Sequence, residues 1–297
     1  MLERRTDLAL EAREMVTGED AALPGVTQQE ADAEGYPLTT VHIRSAAGAA
    51  ALGKPEGIYH TLDLTALDRR ESQAFPRAVR AVAALLSPLL PQEGEVLVAG
   101  LGNRAITPDA LGPLCADRVL VTRHLVELAP AEFGGFRPVS ALAPGVLGTT
   151  GIESAQLIRA AADKLRPALV VAIDALAARR LERLCVTVQL SDTGIAPGSG
   201  VGSHRFALDQ DSLGVPVVSI GVPTVVDGAT LAADLLEEAG CPETQLTGLA
   251  SAPGGTLLVS PRDVDRRVEE MSKVIAYGIS LALQPQLTLE ELEGLVE

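Results

Sequence analysis

Two kinds of hydrophobic spacing divide the chain. Between residues 38 and 64 apolar and polar positions alternate, with Val41 and Ile43 in one run and Ile58, His60, Leu62 and Leu64 in a second, separated by AAGAAALGKPEG. Period two marks a strand with one covered face, so this region predicts an N-terminal β-hairpin with a long loop. Further on the alternation gives way to solid apolar runs: VLVAG at 96 to 100, ALVVAI at 168 to 173, VTVQL at 186 to 190 and VPVVSIG at 215 to 221. Such runs suit strands covered on both faces. Segments of helical period lie between them. A helix is predicted from Phe75 to Leu86, ended by Ser87-Pro88. ESAQLIRAAADKL puts Leu157, Ile158, Ala161 and Leu165 along one side, and a long helix follows near 263 to 283, with Pro261 and Asp263 before it and Pro285 limiting it.

Strands and helices in alternation predict an α/β fold, a three-layer α/β/α arrangement around a mostly parallel mixed sheet, with the hairpin added at the N-terminal end. A chain of 297 residues can fill one such domain. Composition sharpens the picture: apolar residues make up 47% but aromatics only 2%, so the core must be built from Ala, Val, Leu and Ile. No internal repeat or low-complexity segment is present, and the Gly/Pro-rich stretch from Ala250 to Gly255 is the expected surface connection.

Charge and cysteines exclude some functions. A formal charge of −15 without a basic stripe disfavours nucleic acid as a direct partner. Cys115, Cys185 and Cys241 lie far apart, without disulfide or zinc-ligand spacing, which points to a reducing compartment, the cytoplasm by default. The N-terminal MLERRTDLALEAREM is charged throughout and lacks a signal-peptide core, and no apolar run is long enough to span a bilayer.

The candidate chemistry lies in VLVAGLGNRAITPDALGP, residues 96 to 113. GLGNRA matches G-x-G-x-x-G/A after a strand, the dinucleotide fingerprint in its weakest form. Thr107-Pro108 interrupts the chain where the phosphate-binding helix should run. The next candidate strand, VLVTRHL, ends in Thr122, Arg123 and His124 rather than in an acidic ribose partner. Asp109 has two readings: a helix N-cap, or a carboxylate held for chemistry. A second aspartate favours chemistry, because Asp174 comes straight off the apolar run ALVVAI, and open α/β sheets bind ligands at the carboxyl ends of their strands. Two carboxylates brought together share one proton; the ionised one can take a proton from water while the protonated one polarises a peptide carbonyl.

Other residues carry weaker signals. GSGVG at 198 to 202 lacks the Lys-Ser/Thr of a phosphate loop, and its glycines around Ser199 and Gly200 would let an extended peptide approach the backbone closely. Cys115 with His124 could be drawn as nucleophile and base, but PLCADRVL is an apolar setting where a buried thiol is commonplace. Asp192 and Asp227 follow strand-like runs and could orient a catalytic group, although turn and capping roles suit them better. His42 and His60 read as ordinary half-buried residues of the hairpin.

GLGNRAITPDALGP, VLVTRHL, FRPVSALAPGVLGTTGIES, AIDALAAR, QLSDTGIAPGSGVG and GVPTVVDGATL, taken in order, resemble the germination protease family of spore-forming bacteria. The likeness runs from Arg5 to about Asp227 and resumes at LLVSPRDVDRRVEEMSKVIAYGI. It implies a fold akin to the hydrogenase-maturation proteases, a homotetramer in the spore-core cytoplasm, and an endopeptidase that starts the breakdown of small acid-soluble spore proteins, made as a self-processing zymogen. It places the catalytic aspartates at Asp109 and Asp174, without a metal or other cofactor. Asn103, Asp192, Ser199 and Gly200 become supporting or substrate-binding residues.

RTDLALEA resembles the family's processing segment, with the cut expected between Asp7 and Leu8, so residues 1–7 would be a propeptide and 8–297 a single peptidase domain. The plain alternative for RTDLALEAREM is an amphipathic helix capped by Thr6 or Asp7. The chain departs from longer members between Thr230 and Leu257. Two rival functions stand beside the aspartate protease. One is a nickel-binding protease of the hydrogenase-maturation type, for which Asp109, Asp174 and His124 or His204 would be the donors. The other is a non-catalytic α/β binding module.

Overall fold

The computed structural model describes residues 4–17, 22–196, 206–240 and 257–296. Among these, nine strands form one sheet: β1 (Val26–Ala33), β2 (Tyr36–Ile43), β3 (Gly57–Asp63), β4 (Val96–Gly100), β5 (Val139–Leu142), β6 (Leu169–Ala178), β7 (Thr187–Ser191), β8 (Val217–Asp227) and β9 (Leu258–Val259). Their order is β1-β2-β3-β7-β8-β6-β4-β5, with β9 on β8. The sheet is mixed, and its two halves differ. β8, β6, β4 and β5 are parallel to one another, whereas β7, β3, β2 and β1 are joined antiparallel. β8 therefore has a parallel neighbour on one side and an antiparallel one on the other.

Helices cover both faces, completing the three layers. On one face Ala74–Leu86, Leu111–Arg118 and Val264–Leu283 pack over Val98, Val171, Ile173, Ile220 and Val222, forming the largest core. The spacing of Ala78, Val79, Val82 and Leu86 gives the first of these helices its apolar stripe. On the opposite face Ser154–Leu165 covers the parallel half through Ile158, which meets Leu97, Ala99, Val170 and Ala172. The helix Ala9–Thr17 covers the antiparallel half, packing Ala9, Leu10 and Ala12 on Val41, Ile43 and Tyr59. Between these two covers the sheet is left for other residues to fill.

Two expectations need correction, for VLVTRHL and for the end of ALVVAI, and two, the hairpin and the mixed sheet, gain detail. The hairpin is a three-stranded meander: β1, polar on both faces and exposed at the sheet edge, pairs with β2, and the β2–β3 connection holds a short helix, Ala46–Leu52. An edge strand facing water on both sides has no alternation to betray it. VLVTRHL is not a strand, because its backbone is engaged elsewhere: Leu120 N–H donates to Ser280 Oγ at 3.0 Å and Thr122 N–H to the Val139 carbonyl at 3.1 Å, and a helix begins at Arg123. The run ALVVAI does not end its strand, since β6 continues to Ala178 alongside an equally long β8. The parallel part is confined to four strands, because the solid apolar run of β7 joins antiparallel. The Ala250–Gly255 connection lies outside the described residues.

Candidate active site

Gly100 ends β4, while its neighbour β6 and, beyond it, β8 run on. Leu101 N–H still donates to the Ile173 carbonyl at 2.8 Å. The chain then turns back through Gly102, whose φ of +115° admits few other residues and where a Cβ would sit 2.0 Å from the Asp109 carbonyl oxygen. Thr107–Asp109 forms one 3-10 turn, and the helix Leu111–Arg118 starts with Gly112 pressed on the sheet. A Cβ at Gly112 would lie 2.2 Å from Leu101 O and 2.6 Å from Ile173 O, all of it backbone. The glycines of GLGNRA and ALGP thus serve close approach of loop, helix and strand.

That geometry fixes Asp109. Its Oδ2 accepts a hydrogen bond from the Asn103 amide at 2.7 Å, and Pro108 O accepts one from Thr224 Oγ1 of β8 at 2.7 Å. Asp109 is not an N-cap: Ala110 occupies that position and no side chain caps the helix. Asn103 acts through its main chain on Asp109, while its side-chain Oδ1 accepts from Ala105 N–H and shapes the turn. Thr224, 1% exposed inside an apolar strand, is a supporting residue the sequence reading missed.

Asp174 is buried, 5% exposed, one residue beyond the Ile173 carbonyl on which the Asp109 loop rests. Its Oδ1 accepts from the Ala175 amide at 2.9 Å. The loop is stitched to β6 at Ile173 and to β8 at Thr224, which sets the Asp109 segment beside the strand that carries Asp174.

Across the strands Asp174 pairs with Gly221, and Gly221 with Gln189 of β7. Alternation puts Asp174 on the face of Leu176, the face left open between the two helical covers. A cavity of about 150 Å³ lies there, lined by Asp7, Lys54, Tyr59, Leu176, Gln189 and Gly221 among others. Burial pushes the Tyr59 phenol up to about 12 and holds the Lys54 amine below its ordinary range, against the opposing pull of Asp7 and Glu11.

The N-terminal segment enters this space. Asp7 N–H donates to the Ala177 carbonyl at 2.8 Å and Asp7 Oδ2 accepts from Ala177 N–H at 2.8 Å, so the segment is tied to β6. Leu8 is fully buried among Leu176, Ala178, Leu184 and Val226. Thr6 Oγ1 accepts from Leu8 N–H and donates to Glu11, a local cap, whereas Asp7 reaches across to the sheet. Glu11, with no exposed surface, accepts from the Arg179 and Arg180 amides, and burial raises its pKa.

The remaining candidates fall elsewhere. Asp192 Oδ1 accepts from Ile58 N–H at 2.8 Å and fastens β3, and Asp227 caps the helix Gly228–Glu238 through Thr230 N–H. Cys115 is fully buried against Ser272 O, its thiol pushed up by burial, while His124 is exposed on another helix; the two form no nucleophile–base pair. His60 meets Thr40 Oγ1, and burial lowers its pKa. Ser199, Gly200 and His204 lie outside the described residues. Among the described residues no group of three or more His, Cys, Asp or Glu is placed to hold a metal ion, and no helix is long and apolar enough to cross a membrane.

The family model described as "Germination protease" matches residues 4–238. A germination protease of Caldanaerobacter subterraneus subsp. tengcongensis is 43% identical over 318 aligned positions, covering 98% of this chain and 98% of the relative. One of Clostridium perfringens is 41% identical, covering 97% of each. Among solved structures, a NiFe hydrogenase maturation protease, HycI, from Thermococcus kodakarensis KOD1 aligns with 66% of this chain and 98% of its own at 19% identity and a TM-score of 0.37. The family defines a peptidase, a hydrolase of peptide bonds. The chain belongs to the germination protease family.

Proposed function

We propose that this chain is the endopeptidase that opens small acid-soluble spore proteins when a spore germinates, working as a homotetramer in the spore-core cytoplasm after removing its own residues 1–7. Asp109 and Asp174 share the proton in this reading. The ionised carboxylate takes a proton from water as its oxygen adds to the peptide carbonyl, and the protonated carboxyl supports the developing oxyanion. The tetrahedral carbon then expels the amine, which receives the proton. No metal is assigned a part.

The observation that carries the reading is the placement of Asp109: a half-buried carboxylate fixed by the Asn103 amide, on a loop anchored to β6, the strand that carries Asp174, and to its neighbour β8. The Asp7–Leu8 bond is seated on the adjoining part of the sheet. Asp109→Asn and Asp174→Asn are each expected to fold normally and to lose self-processing and spore-protein cleavage by about a thousandfold or more, with chelators leaving the parent's rate unchanged. Intact mass and substrate cleavage read both. Parent-like processing in either variant refutes the pair, and a chelator-sensitive parent restores the nickel reading.

A further inference from the structure

Gln189 is a polar side chain in an apolar strand, only 8% exposed, and it is fully used. Its Nε2 donates to the Asp7 carbonyl at 3.1 Å and its Oε1 accepts from the Ala9 amide at 2.8 Å. These two partners flank Leu8. A neighbouring β-strand grips a residue in the same way, with one N–H given to the carbonyl before it and one carbonyl offered to the amide after it. The Gln189 carboxamide therefore stands in for a strand. On its other side the segment is held by the Ala177 backbone.

Only Gly221 separates Gln189 from Asp174 in the sheet, and a Cβ there would sit 2.5 Å from Leu176 Cγ. The missing side chain makes room for Leu176, which lies over Gly221 between amide and carboxylate.

We infer that Gln189 is the positioning residue of this protease: it holds the carbonyl of the bond to be cut and the amide two residues on, and so presents a peptide to the aspartates through its main chain. The inference rests on Asp7–Leu8 being the processed bond. Because both contacts are to backbone, the grip is indifferent to side-chain identity, and specificity must come from the pockets around it, such as the apolar nest of Leu8. A primary amide is suited to this task, because it offers a donor and an acceptor side by side and does not titrate.

Two substitutions test it. Gln189→Met keeps the length and removes both hydrogen bonds; Gln189→Glu keeps the acceptor for Ala9 but has no donor for Asp7. Release of residues 1–7, followed by intact mass, is expected to slow about tenfold or more in both, with the pH profile of the residual rate keeping its shape in Gln189→Met. In an Asp174→Asn background, where chemistry is stopped, adding Gln189→Met should speed hydrogen exchange of the Ala9 amide about tenfold or more, while β6 and β8 stay protected. If β6 or β8 lost protection, Gln189→Glu in the same background would decide. Parent-like release, or parent-like exchange at Ala9, overturns the assignment. A parent that never releases residues 1–7 overturns the processing reading instead, and the exchange comparison still judges the grip.

Discussion

The parallel and antiparallel halves of the sheet are built on different terms. In the parallel half, backbone presses on backbone: Gly112 meets Leu101 and Ile173 with no room for a methyl group, and the loop that holds Asp109 depends on that contact. In the antiparallel half, side chains do the joining, as where the Tyr36 hydroxyl donates to the Ala74 carbonyl at 2.7 Å and Asp192 fastens the start of β3. The parallel half carries the strands around the two aspartates, and the antiparallel half brings Gln189 and the cover from helix Ala9–Thr17. The cavity opens at their junction, on β8, where the sense of pairing changes. A site at such a junction draws fixed carboxylates from one side and a peptide-holding surface from the other.

The comparison can be broken most forcefully at its glycines. Gly112→Val is expected to cost more than about 4 kcal/mol, since every atom in its way is backbone, whereas Gly53→Ala, at a φ of +63° with no atom within 4 Å of its Cβ, should cost about 1 kcal/mol. Urea unfolding measures both, and equal losses would erase the contrast. A smaller effect is expected at Thr224→Val, which preserves shape but deletes the bond to Pro108 O. Stability should fall by about 1 kcal/mol and kcat by about tenfold with KM held, because the Asp109 loop loses an anchor; unchanged kcat would show that β8 does not steer the loop.

The subtlest test is at Tyr59. Its phenol binds its proton more tightly in the native than in the unfolded chain, so between pH 10 and about 12 the native state carries more protons and stability falls as pH rises. Ultraviolet titration should show one tyrosine ionising near 12, absent in Tyr59→Phe. A phenol titrating at its ordinary 10 would mean that the junction is open to water.

Much of this was legible in the residues. Asp174 stands out because a carboxylate beside a solid apolar run is unexpected, Asp109 draws its weight from that second aspartate, and the helices Ala74–Leu86, Ser154–Leu165 and Val264–Leu283 follow directly from apolar spacing. The reach of β6 past Asp174 was written in the small residues ALAA, which continue an apolar strand as readily as they end one. Strand β1 left no trace, because a strand wet on both faces has no hydrophobic period. Gln189 did leave one, a lone amide in VTVQL, but its meaning depends on partners some 180 residues away, which no local pattern contains. Asn103 supports Asp109 through its backbone N–H, a contact that the identity of the residue does not announce.

The burial of Leu8 has a consequence for direction. In the proposed reading, a cut between Asp7 and Leu8 turns a neutral amide, whose N–H is given to Thr6 Oγ1, into a carboxylate and an ammonium ion on the residue whose side chain fills the nest of Leu176, Ala178, Leu184 and Val226. Charges created in a part-buried place are penalised by several kcal/mol per ion, so the newborn terminus is expected to leave its seat for solvent. Once it has left, the two ends no longer face each other and resealing is closed off. The enclosure that keeps the uncut chain in place is thereby also what makes the step a ratchet.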